Sequence, residues 1–218
     1  MFRTHLTLVA ILAGAIFAPA AIADDKPLLK AGTEMPMPGG MRPSKELVQV
    51  VLRAIQKNDI EQLDDCLAQQ GLKRADYASL LRAVKIDTAA GNKLWFVRPA
   101  LEPYCFALYG AHLFRYFWIE QQGSASSWRY RLLFQNGGDV FNVYPQQSHG
   151  LNDIEATGCI VSECRSARMA FDGRTYRTVK CSRTTWEEGG REVTKERRCG
   201  SDEGRDDQSS GFVRPSGK

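Results

Sequence analysis

Six cysteines behind an export signal constrain this chain more than any other feature of it. Residues 1–23 open with Arg3 as a short positive segment and run apolar from Leu6 to Phe17. Pro19 breaks the run, and Ala21-Ile22-Ala23 places small residues at −3 and −1 of a cleavage point before Asp24. Twelve apolar residues are too few to span a bilayer, and no cysteine stands near the cleavage point for lipid attachment. The reading is export with the signal removed after Ala23, into the periplasm or the medium. Cys66, Cys105, Cys159, Cys164, Cys181 and Cys199 then all lie in the mature chain, where oxidising surroundings favour disulfides over thiolates. Six cysteines admit about fifteen pairings. Proximity favours Cys159–Cys164 across a short loop and Cys181–Cys199 near the chain end, which leaves Cys66–Cys105 by elimination. The rival is a zinc site built from the C-x4-C pair and the two later cysteines, but that spacing fits no common zinc pattern.

The mature 195 residues suffice for one domain with a real core. Without Arg3 they hold 28 basic against 25 acidic residues, a mild excess that implies no nucleic-acid partner. Asp24 to Pro43, with four prolines, three glycines and little apolar periodicity, reads as a flexible linker. Its Met35, Met37 and Met41 are too few and too irregular for a copper(I) site. From Ser44, an N-cap, Leu47, Val48, Val51, Leu52 and Ile55 recur at helical spacing. A second helix is expected from about Asp59, with Ile60, Leu63 and Leu67 inward and Gly71 at its end. A third is expected from Asp76, carrying Tyr77, Leu80, Leu81 and Val84 on one face. The phrase A-I-Q-K-N-D-I-E-Q-L resembles part of an ankyrin repeat, but no second copy follows, so a repeat fold is excluded.

Past Gly91-Asn92 the composition turns aromatic and β-branched. Leu94 to Val97 and Cys105 to Ile119 read as buried strands, with a bend at Gly110-Ala111. Trp128 to Phe134 alternates, Asn136 to Asp139 turns the chain, and Val140 to Tyr144 returns it. Asp153 to Thr157 reads as a short strand. Asp172-Gly173 suits a two-residue type I′ turn, which would set Phe171 against Arg174 and Met169 against Tyr176. Phe171, Met169 and Tyr176 then face inward, while Arg168, Ala170, Thr175 and Arg177 face solvent. The expected fold class is α+β: short N-terminal helices packed on an antiparallel, disulfide-bonded sheet of five to seven strands. It forms a single domain over 44–199, helical over 44–90 and β-rich over 94–199, followed by a disordered tail at 200–218.

The order G-L-N-D-I, a spacer and F-D-G-R-T-Y, from Gly150 to Tyr176, resembles a C-terminal β-meander of uncharacterised exported bacterial proteins. The resemblance implies an exported β-rich domain and no activity.

Catalytic patterns are thin. Cys105 with His112 needs a free thiol, which pairing removes. Ser148, His149 and Asp153 stand too close in sequence for triad geometry, and no serine sits in a nucleophile elbow. Glu102, Glu120, Asp139, Asp153 and Glu155 supply carboxylates for glycoside cleavage, but no spacing selects a pair. Calcium at Asp139 or Asp153 lacks an acidic loop motif. No metal or cofactor motif is present. The strongest handle is the run 165–183, with six basic residues (Arg165, Arg168, Arg174, Arg177, Lys180 and Arg183) and one acid, Asp172. The leading reading is an exported binding or inhibitor-type protein that engages an anionic protein, polymer or membrane surface through this basic hairpin. The alternatives are a hydrolase of envelope material using carboxylates and a structural envelope protein.

Overall fold

The computed structural model describes residues 26–109, 113–123 and 127–200. The export signal, the Gly110-Ala111 bend and residues 201–218 of the tail lie outside the described residues.

The two helices form where caps and periodicity place them. Helix α1 (Lys45–Ala54) starts at Ser44, whose side chain accepts from the Leu47 N–H at 3.4 Å, and it buries Leu47, Val48, Val50 and Val51. Helix α2 (Lys57–Gln69) has the Asp59 carboxylate accepting from the Gln56 N–H, and it buries Leu63 and Leu67. The third helix is corrected. Arg74–Leu80 is a 3-10 helix, and Leu81 and Val84 belong to strand β2 (Leu81–Asp87). Leu-Arg-Ala-Val-Lys alternates well enough to bury Leu81 and Ala83, and pairing with β3 (Lys93–Pro99) decides the outcome.

The linker reading is also corrected. Leu29–Gly32 forms strand β1, buries Leu29 and Ala31, and pairs antiparallel with β6 (Val140–Ser148). Met41 further on bridges to Ala83. Between them the buried guanidinium of Arg98 donates to the carbonyls of Gly32 and, at 2.7 Å, Met35. The segment is thus held by backbone pairing and a buried cation, neither of which shows as apolar periodicity.

Ten strands make two antiparallel sheets instead of one of five to seven. The smaller has the order β2-β3-β4-β5, with β4 at Phe114–Gln122 and β5 at Arg129–Gly138. The larger has the order β1-β6-β7-β8-β9-β10, with β7 at Leu151–Ile160, β8 at Glu163–Phe171, β9 at Tyr176–Trp186 and β10 at Glu192–Arg197. The expected Asn136–Asp139 hairpin turn is the step between the sheets. β5 runs through to Gly138, and β6 begins at Val140 in the other sheet. A side chain on Gly138 would meet the Thr157 carbonyl at 2.9 Å, so only glycine lets the backbones pass.

The core lies between the sheets. Phe96 and Tyr116 of the smaller sheet stack on Phe141 of the larger at 4.8 and 4.7 Å. Trp118 Nε1 donates to the Tyr176 hydroxyl at 2.9 Å, and that hydroxyl donates to the Asn152 carbonyl at 2.8 Å. Strand alternation puts the buried Val97, Phe117 and Ile119 on the opposite face of the small sheet, where α1 lies against β5. The result is three layers (helices, four strands, six strands) within the α+β class.

The cysteines pair as Cys66–Cys105, Cys159–Cys164 and Cys181–Cys199, and these bridges fit an extracytoplasmic compartment. Among the described residues no helix is long and apolar enough to cross a membrane.

Candidate functional site

Strands β8, β9 and β10 carry the charged residues singled out in the sequence. The turn between β8 and β9 is wider than a type I′ turn. Phe171 pairs with Tyr176, leaving a four-residue loop, Asp172 to Thr175. The Asp172 carboxylate accepts from the N–H groups of Arg174 and Thr175, both at 2.8 Å, and from Arg177 Nε at 3.0 Å. These three donors, the backbone pair foremost, pull its pKa down to about 2. Met169, Phe171 and Tyr176 do share the buried face, as expected.

The cationic side chains do not share one face. Arg168 stands opposite Lys180, and Arg177 stands opposite Ala170, so the expected Arg168–Arg177 neighbours are not formed. Arg168 lies over the Tyr144 ring at 3.8 Å and donates to Gln146 Oε1 at 2.9 Å. Lys180 pairs with Glu196 at 3.3 Å across to β10. Arg174 is exposed in the turn.

The other face brings cations together. Arg165 on β8 pairs with Arg183 on β9, and Arg183 pairs with Lys195 on β10. Three positive charges therefore form one rung, spaced by the strand separation of about 4.8 Å. Like charges directly opposite one another cost stability. One carboxylate answers them. Glu163, one rung away on the same strand face, is buried (4% side-chain exposure) and accepts from Arg165 Nε at 2.6 Å and from Arg183. Burial alone would raise the Glu163 pKa, but the two guanidiniums outweigh it and hold the carboxyl below its ordinary range. Both arginines stay half exposed, and Lys195 is exposed with no acidic partner among the described residues. The next rung, Ala167-Cys181-Arg197, carries the Cys181–Cys199 bridge and a fourth cation.

Sequence reasoning missed Lys195 and Arg197 because β10 was not read as a strand. The signal was present: Glu188-Gly189-Gly190-Arg191 between β-rich runs, with both glycines at positive φ. With β10 included, residues 163–198 hold ten Lys and Arg against six Asp and Glu, whereas residues 24–162 hold fifteen of each. The chain's positive excess resides in this ribbon.

The candidate catalytic groups are dispersed and engaged. Ser148 donates to Asp153 at 2.8 Å without an intervening histidine, so no triad forms. Glu120 holds Arg131 and Gln122, Glu155 accepts from Asn142 and Tyr144, and Asp139 accepts from the Cys159 N–H. Cys105 is bridged, and His112 lies outside the described residues. Glu102 precedes Pro103 in the loop after β3, and no carboxylate pair is held across a cleft by these placements. Among the described residues no three potential metal donors cluster.

No family model matches this chain, and no curated protein or solved structure matches it either.

Proposed function

We propose that this is an exported binding protein that captures an anionic macromolecule through the cation rung Arg165-Arg183-Lys195, with Arg197 beside it. The observation that carries the reading is the imbalance at that rung: three cations in register over one shared carboxylate, in the one stretch that carries the positive excess. An anion lying across the strands relieves the repulsion that the fold leaves there. Pairing in water is weak per contact, so several contacts act together and binding falls steeply with salt.

Retention of the mature protein on immobilised polyglutamate tests this. Lys195→Glu reverses one charge of the rung without touching the partners of Glu163, and should weaken retention about tenfold at low salt. Lys180→Glu, on the opposite face, is the matched control and should weaken it far less. Equal losses in the two variants would reduce the rung to diffuse surface charge.

A further inference from the structure

We infer that the chain carries its own competitor for this rung: the acidic segment Asp202, Glu203, Asp206 and Asp207. The inference rests on the proposed anion site for its regulatory meaning, but the docking stands on separate observations. Cys181 faces the same side as Arg183, two residues along β9, and its bridge pins Cys199 over that face. The tail therefore starts about 7 Å from the cation rung. Asp202 follows Cys199 by three residues and Asp207 by eight, so they reach about 10 and 27 Å from the pin. The rung, about 10 Å across three strands, lies inside that range. Between 202 and 207 stand four carboxylates and one basic residue, Arg205. The nearest described surface carries Arg165, Arg183, Lys195 and Arg197 over Glu163.

A tether this short puts the carboxylates at millimolar effective concentration, which offsets the weakness of each exposed pair. An external anion must displace the tail before it binds. The competitor lowers affinity for weak or sparsely charged anions and yields to densely charged polymers, so it sets a threshold of charge density. Docking and capture weaken together as salt rises.

The test compares the full mature chain with the same chain carrying D202N, E203Q, D206N and D207N. At low salt the backbone amide resonances of Arg165, Arg183, Lys195 and Arg197 should differ between the two proteins, and the difference should vanish at high salt. Polyglutamate affinity should rise about threefold to tenfold on neutralisation, while a variant with Asp and Glu exchanged at the four positions should match the parent. Identical amide resonances at low salt overturn the inference. Unchanged polyglutamate affinity despite shifted resonances overturns the competition and leaves the docking. If neither protein binds polyglutamate but the resonances shift, the tail docks and the proposed function falls.

Discussion

Glu163→Gln should lower stability while raising affinity for an anion, and this opposition of sign separates a binding rung from an ordinary ion-pair cluster. Removing one partner of a fully buried pair costs about 3–5 kcal/mol, and an exposed pair contributes at most about 1 kcal/mol. The Glu163 side chain is buried, but Arg165 and Arg183 are 50% and 54% exposed, so water screens much of the loss. Glutamine keeps an acceptor for one guanidinium. The expected cost is about 1–2 kcal/mol, which shifts a urea midpoint by about 0.5–1 M with the slope unchanged. Freeing two guanidiniums, each worth a few tenths to about 1 kcal/mol toward an external anion, should tighten polyglutamate binding about threefold to tenfold. Affinity is best read with the tail neutralised, since a freed rung also holds the tail more tightly. The sign with pH is set by the lowered carboxyl pKa. Its stabilisation is complete above the ordinary value of 4.5 and is lost as pH falls through the folded value. The stability gap between parent and variant should therefore close in acid. A variant that loses stability with unchanged or weaker affinity would refute the reasoning.

Tyr176→Phe removes the hydroxyl that joins the sheets and strands the buried Trp118 N–H. It should cost about 1–3 kcal/mol, and an unchanged urea midpoint would mean the relay is idle. The bridges should rank by the loop each closes, with separations of 39, 18 and 5 residues. Loss of Cys66–Cys105 should cost about 4 kcal/mol, Cys181–Cys199 about 3 and Cys159–Cys164 about 2 in paired alanine variants followed by denaturant melts. The reverse order would show that strain or residual unfolded structure outweighs loop closure.

What was legible in the sequence was local. Ser44 caps α1 because a hydroxyl three residues before a free N–H needs no tertiary partner. Neighbouring cysteines found each other for the same reason. What was not legible depended on partners distant in sequence. Leu29–Gly32 is too short and too plain to announce a strand, and it becomes one because β6 offers an edge and Arg98 binds the carbonyls beyond it. Leu81 to Val84 satisfies both periods over four residues, and β3 breaks the tie. The turn at residues 172–175 shows two local signals in conflict. Asp172-Gly173 fits a type I′ turn, but the aspartate side chain can also accept from two following N–H groups, and here it does. Two successive positive φ values occur at His149 and Gly150 instead, between the paired Ser148 and Leu151.

The error at that turn left the inward face intact, while a subtler feature moved the charges. Pairing Phe171 with Tyr176, in place of Met169 with Tyr176, slides the register by two residues. A two-residue slide preserves pleat parity, so Met169, Phe171 and Tyr176 still point into the core. The irregularity further along is odd-numbered. Arg168 pairs with Lys180 while Met169 pairs with Thr178, so Val179 is an extra residue on β9. Every side chain beyond it changes face. Without the bulge Arg183 would point the same way as Arg177. With it, Arg183 joins Arg165 and Lys195 over Glu163, and Cys181 turns to hold Cys199 on that same side. One inserted residue thus gathers the cations and also fixes where the acidic tail begins.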